Sequence, residues 1–244
     1  MNKTKTRSIL TIVLALFMAL SCLAVLTACA ENKETIKTTE VSSFNELQTA
    51  LTGDCDEIKI MQDIDITKTI VITRKVSINL NGKTLSNSND LWNDTDQEKA
   101  WSIISVRKEG NLTINGNGKL DAKENDCYAV DVMDGGKLVI ENGEFVGNIS
   151  AVYVFEGTAE IKGGKYSIKQ LNSNGVETAH GSTINIYNQN GDNGTAKVEI
   201  SGGEFVNFDP AGRVDNKHDK LVKDGYTAEL IDGTTNYKVV KIAE

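Results

Sequence analysis

Between Ser86 and Trp101 the chain gathers three aspartates, Asp90, Asp94 and Asp96, and both of its tryptophans, Trp92 and Trp101. Indole faces stack on the apolar faces of sugar rings, and carboxylate oxygens accept hydrogen bonds from sugar hydroxyls. Trp92, Asp90, Asp94, Asp96 and Trp101 therefore form the candidate glycan-binding set. A structural role competes with it: Trp101 opens the next strand and packs in the core or under the loop, while the acids are solvated.

Other reactive side chains are scattered. His180 and His218 have no nucleophile or metal partner near them in sequence. Cys55 and Cys127 lack a Cys or His neighbour at metal-ligand spacing. The 188–195 stretch is rich in Asn, Gly and Asp but lacks the regular Asp spacing of calcium-binding repeats. The sequence thus assigns no catalytic residue, no metal site and no cofactor, with Ca2+ left open as a ligand of the acidic loops.

Residues 1–28 stand apart from the fold. Lys3, Lys5 and Arg7 precede an apolar run from Ile9 to Leu26, the pattern of an export signal. Its end, Leu26-Thr27-Ala28-Cys29, resembles the bacterial lipobox, which implies cleavage before Cys29 and diacylglycerol on its sulfur. An ordinary secretory signal with Ala-x-Ala cleavage is the alternative. Lipidation would anchor the chain to the outer side of a bacterial membrane, each buried methylene contributing ~0.8 kcal/mol. Residues 29–40, polar and without aromatics, are expected to be a short tether.

Charge narrows the partners. Residues 1–28 hold three basic and no acidic residues, so the chain's 26 basic and 34 acidic residues become 23 and 34 without them, a net charge of −11. Such a surface repels nucleic acid and anionic lipid, and acidic polysaccharides too unless a cation bridges.

The elements that must position these residues come from a phrase that recurs five times: KVSINLNGKTL (75–85), NLTINGNGKL (111–120), KLVIENGEF (137–145), TAEIKGGKY (158–166) and KVEISGGEF (197–205). Each is a strand of alternating apolar and polar residues, an Asn-Gly or Gly-Gly corner, and a further apolar residue. Asn and Gly tolerate left-handed backbone, so each copy is expected to turn at the same place. Units that cannot bury a face alone must stack, which is the logic of a β-solenoid. Alignment on Ile78, Ile114, Ile140, Ile161 and Ile200 predicts one inward column. The uneven steps between them place insertions at about 86–101, 171–180 and 188–195. A second strand precedes each later phrase, as in Ala129-Val130-Asp131-Val132 and Ala151-Val152-Tyr153-Val154. Cys55 and Cys127 lie three repeats apart, and at ~4.8 Å per strand they are beyond disulfide reach, so both are expected to be free thiols.

The ends differ from the middle. Ser43-Phe44-Asn45-Glu46 has the capping-box form, and Phe44, Leu47, Ala50 and Leu51 share one helical face. This predicts a helix covering the first coil. Strands on either side of Asp232-Gly233 predict a hairpin covering the last.

The phrases IVITRKVSINLNGKTLS, ISGGEFVNFDP and LVKDGYTAEL resemble the right-handed parallel β-helix (pectin lyase-like) surface proteins of bacteria, and VSSFNELQTAL is similar to their N-terminal cap. The resemblance covers roughly 41–244. It implies an all-β, single-stranded right-handed parallel β-helix over 41–210, with an N-terminal helical cap and a C-terminal hairpin cap over 211–244. It also implies three kinds of function: a non-enzymatic, lipid-anchored glycan or surface-component binder, a polysaccharide lyase or glycoside hydrolase, or a structural spacer of the cell envelope. A lyase of that fold needs an Arg or Lys base beside acids that hold calcium. Here Arg74, Arg107 and Arg213 have no Asp at the same register, and Tyr153 succeeds Asp131 one coil on. A hydrolase needs paired carboxylates, and Asn93-Asp94-Thr95-Asp96 with a lone His180-Gly181 does not supply them. The binder is therefore the expected function.

Overall fold

The computed structural model describes residues 35–95, 98–123, 127–170, 183–187, 196–212 and 221–243, with the side chains of 94–99 outside that description. All lie in one compact unit, Ile36–Glu244, save Thr35. Strands are numbered in chain order.

Three parallel sheets carry the fold. The first holds β1 (Thr38–Val41), β2 (Glu57–Ile60), β5 (Lys75–Asn79), β10 (Asn111–Asn115), β13 (Lys137–Ile140), β16 (Thr158–Ile161) and β19 (Lys197–Ile200) in that spatial order. The second runs β3 (Ile64–Asp65), β6 (Thr84–Ser86), β11 (Lys119–Asp121), β14 (Glu144–Gly147), β17 (Lys165–Ile168) and β20 (Glu204–Phe205). The third runs β4 (Ile70–Ile72), β9 (Ser102–Arg107), β12 (Tyr128–Met133), β15 (Val152–Phe155) and β18 (Ile184–Tyr187). From β2–β3–β4 to β16–β17–β18 the chain visits the first, second and third sheets in that fixed order. The stacked parallel strands are compatible with a β-helix.

Alternation fixes which side chains fill the interior, because successive residues of a strand point to opposite faces. Ile58, Ile78, Ile114, Ile140, Ile161 and Ile200 are cross-strand partners in one unbroken register and are all fully buried. The predicted column therefore exists. Behind it on the second sheet, Phe145, Tyr166 and Phe205 stack ring on ring at 5.3 and 5.0 Å. The Tyr166 hydroxyl donates to Gly163 O, so the burial of this ring leaves no polar atom stranded.

The corners between the first and second sheets are less uniform than expected. That of the 75–85 phrase is the longest, with left-handed Asn81 (φ 49°) and Gly82 (φ 71°), and that of the 111–120 phrase turns at Gly116 rather than at Asn117-Gly118. The last three share one geometry, turning at Gly143, Gly164 and Gly203. Asparagines do bridge neighbouring corners: Asn142 Nδ2 donates to Asn117 Oδ1 at 2.6 Å, and Asn81 Nδ2 to Ile60 O at 2.9 Å.

Helix α1 (Phe44–Thr52) buries Leu47 and Ala50 in the common core. Ser43 Oγ accepts from Glu46 N as the capping box requires, but the Glu46 carboxylate reaches back to Ser42 N rather than Ser43 N. Arg74 serves the other end, donating to Ala50 O, Leu51 O and Cys55 O. Its guanidinium thus satisfies carbonyls that a helix terminus leaves open.

Ordered structure starts before the expected boundary. β1 takes in the last residues of the 29–40 stretch and pairs parallel with β2. Only Val41 of its four residues is buried, which leaves no alternation to read in the sequence. At the far end β21 (Tyr226–Leu230) and β22 (Tyr237–Lys241) form the antiparallel hairpin predicted about Asp232-Gly233, and β22 pairs with β20. Cys55 and Cys127 are both free and buried. Residues 1–34, with Cys29, lie outside the described residues.

Candidate functional site

Ile104, Val106, Val130, Val132, Val152, Val154, Ile184 and Ile186 point inward from the third sheet. Alternation therefore turns Ser105, Arg107, Asp131, Met133, Tyr153, Phe155, Asn185 and Tyr187 to its outer face. The segment between β6 and β9 folds beside this face, with β7 (Asn93–Thr95) and β8 (Glu98–Ala100) paired antiparallel. It is tied down at its base. The Asp65 carboxylate accepts from Ser88 N and Ser88 Oγ at 2.7 Å each, and Asn87 Oδ1 accepts from Lys123 N at 2.9 Å.

The result is a continuous aromatic row. Trp92 stacks on Trp101 at 6.0 Å and 24° and meets the edge of Tyr128. Trp101 meets Tyr153 and Phe155 at 6.0 Å each, Tyr128 lies 4.8 Å from Tyr153, and Phe155 stacks on Tyr187 at 5.5 Å and 5°. Inside the row Trp101, Tyr153 and Phe155 are half-buried against one another. Its open surfaces are at Trp92, 37% exposed, and Tyr187, 47% exposed.

Trp101 immediately precedes β9, and Tyr128 N donates to its carbonyl. Yet its ring rests on two residues of β15, so it crosses the outer face of the intervening β12. Asp131 and Met133, the outward residues there, are accordingly buried at 0% and 2% exposure. Beneath the indole, Asp131 Oδ1 accepts from Ser105 Oγ and Oδ2 contacts Ser102 Oγ, both at 2.5 Å. Arg107 Nε donates to Ser105 Oγ at 2.7 Å, and Ser102 Oγ lies 2.7 Å from Ile104 O. Burial pushes the Asp131 carboxyl up to about 6, although the two serines and Arg107 pull it down.

Of the predicted set, the structure brings Trp92 and Trp101 together. Asp90 Oδ1 accepts from Trp92 N at 3.1 Å, an Asx turn that shapes the loop. The Asp94 side chain and the whole of Asp96 lie outside the described residues, as do His180, Arg213, His218 and the 188–195 stretch. Trp101 packs under the loop, which is the structural role weighed against binding. Arg107 pairs across strands with Met133, and Asp131 with Ser105 and Tyr153, so these two residues do not share a register. Among the described residues no group of three or more His, Cys, Asp or Glu is placed to hold a metal.

Sequence reasoning missed Tyr128, Tyr153 and Phe155 as partners of the tryptophans, Tyr187 as the ring stacked beyond Phe155, and Ser102, Ser105 and Asp131 as a buried unit. The signal was in the second strands. When they are aligned, Asp131, Tyr153 and Asn185 share one outward column and Met133, Phe155 and Tyr187 the next.

No protein-family model matches the chain, and neither a curated protein nor a solved structure does.

Proposed function

We propose that this chain is a non-enzymatic, lipid-anchored bacterial surface protein that binds glycan on the outer face of its third sheet. The observation that carries this reading is the aromatic row that ends in exposed Trp92 and Tyr187. Exposed indole and phenol faces offer apolar contact to sugar rings without requiring ligand charge, which suits so acidic a chain. The corner that follows the second sheet supports it as well: it carries both the 87–101 segment and the 169–183 connection, and insertions of stacked repeats gather on binding faces.

The fold in this reading is the right-handed parallel β-helix, with α1 covering one end and the β21–β22 hairpin the other. Cys29 carries the lipid, and residues between it and β1 tether the domain. The lyase or hydrolase alternative finds its one strongly shifted carboxyl among the described residues in Asp131, which burial pushes up to about 6. That carboxyl is wholly buried beneath Trp101, which favours a structural part for it.

The test is binding to immobilised neutral glycans by the wild type, Trp92→Ala and Tyr187→Ala. Each ring contributes about 0.5–1.5 kcal/mol, so each variant should bind up to about tenfold more weakly while its melting temperature falls by no more than about 4 °C. Equal binding by all three proteins removes this face from the function. Ultraviolet-absorbing unsaturated product from pectin or alginate, with or without calcium, would favour the lyase. Membrane association that survives Cys29→Ala would refute the anchor.

A further inference from the structure

The hydrogen-bond geometry around Asp131 counts its protons. Ser102 has one hydroxyl proton, yet its oxygen stands 2.7 Å from Ile104 O and 2.5 Å from Asp131 Oδ2, and both are acceptors when Asp131 is ionised. One of those oxygen pairs would then have no proton between its members. A proton on Asp131 Oδ2 removes the conflict. Asp131 donates to Ser102 Oγ, and Ser102 donates to Ile104 O. On the other side Arg107 Nε donates to Ser105 Oγ, which donates to Asp131 Oδ1. The chain Arg107–Ser105–Asp131–Ser102–Ile104 is then directed and complete.

We infer that Asp131 is a protonation latch: as a neutral acid it closes this chain beneath the indole of Trp101, and loss of its proton breaks the chain and loosens the Trp92–Trp101 cover. A carboxylate sealed under apolar rings lacks the hydration that stabilises its charge, and the relief open to it is admission of water past Trp101. Its charged and titratable surroundings offset that loss only in part. From β9 it faces Arg107, engaged with Ser105, and from the end of β12 it feels the like charge of Asp134. Tyr153 on β15 and Cys127 before β12 are both pushed upward by their burial, Cys127 to about 12, so both keep their protons through neutrality. Asp90, on the 87–101 segment, adds a further negative charge beside Cys127. For ligand binding the latch rests on the function proposed above, since it would make that face pH-dependent. For the protein itself it does not.

Trp92 and Trp101 are the only tryptophans in the chain, so tryptophan emission, excited at a wavelength that spares the six tyrosines, reports this cover alone. The full chain is titrated from pH 4.5 to 8 as wild type, Asp131→Asn and Ser102→Ala. Asparagine can donate to Ser102 and accept from Ser105 as the neutral acid does. The wild-type emission should shift with a midpoint near pH 6, and Asp131→Asn should hold the low-pH spectrum throughout. Ser102→Ala removes a donor to the ionised form, so its midpoint should move to higher pH. A flat wild-type titration overturns the latch, as does an unchanged transition in Asp131→Asn, which would assign it to another group such as His180 or His218. An unmoved Ser102→Ala midpoint overturns it too. This readout needs no ligand, so failure of the latch and failure of glycan binding are told apart.

Discussion

Trp92 and Trp101 stack at 6.0 Å, but Trp92 is exposed where Trp101 is half-buried, and the two indoles therefore do different work. Trp101 touches Trp92, Tyr153 and Phe155 and seals β12. Its loss would open a cavity over Asp131 and unseat the 87–101 segment. Trp101→Ala should destabilise the domain by about 2–4 kcal/mol, toward the lower part of the range for buried tryptophan because the ring is only half-buried. Trp92→Ala should cost about 1 kcal/mol or less, since its outer surface has no protein neighbour to lose. Urea denaturation of the two variants checks the split, and equal losses would contradict it.

Asp131 should make stability fall as pH rises through the mild acid range. Its folded value of about 6 lies above the unfolded carboxylate value of roughly 3.9. Below the lower value both states hold the proton and the group contributes nothing. Between the two the unfolded chain has released its proton and the folded chain has not, so rising pH favours unfolding. Above the upper value the deficit is constant, at about 3 kcal/mol. Asp131→Asn lacks this window. Its stability relative to wild type should therefore rise by about 2 kcal/mol between pH 4 and pH 6 and level off at about 3 kcal/mol above pH 7. Denaturant midpoints at pH 4, 5, 6 and 7.5 measure it, and a constant difference would place the Asp131 carboxyl in its ordinary range.

What the sequence made legible follows from period. Ile78, Ile114, Ile140, Ile161 and Ile200 stand at one position in one phrase, and stacking converts equal position into equal register. The aromatic row was hidden for the same reason. Tyr153, Phe155 and Tyr187 occupy outward alternation positions, where any strand residue would look ordinary, and their grouping depends on strands brought together across sequence gaps. The reach of Trp101 over β12 to β15 is a distance, and no spacing encodes it. Left-handed backbone was also too narrow an account of the glycines. A second corner, between the third and first sheets, bends at Lys108, Asp134 and Glu156 with φ of 54°, 55° and 57°. The glycines there, Gly110 and Gly136, are required because the carbonyls of Ile72 and Val106 lie 2.2 and 2.4 Å from where a Cβ would stand.

Cys127 should resist alkylation while the domain is folded. Burial, then the nearby Asp131 charge, push its thiol up to about 12, so the reactive thiolate is scarce at pH 8 and its sulfur is 1% exposed by residue. Cys55 is equally enclosed, at 2%. Iodoacetamide at pH 8 followed by peptide mass spectrometry should leave both unmodified in the native protein and modify both in urea. Native labelling of Cys127 at the unfolded rate would mean that the third sheet opens at that edge.

Two glycines at distant corners of the stack, Gly82 between β5 and β6 and Gly202 between β19 and β20, separate backbone strain from backbone crowding. Gly82 has φ of 71° and nothing within 4 Å of a Cβ, so Gly82→Ala meets only the left-handed penalty, about 1–2 kcal/mol. Gly202 is not left-handed, but a Cβ there would lie 2.2 Å from Lys162 O and 3.0 Å from its carbonyl carbon. Those atoms are main chain of the preceding corner, which cannot swing aside as a side chain would. Relief requires β19 and β20 to part from β16 and β17, with loss of ladder bonds such as Ser201 N to Ile161 O at 2.8 Å and Glu204 N to Gly164 O at 2.8 Å. Gly202→Ala should therefore cost more than about 3 kcal/mol or prevent folding, well beyond Gly82→Ala. Thermal melts of the two variants decide it, because comparable losses would mean that the stacked corners are not packed main chain against main chain.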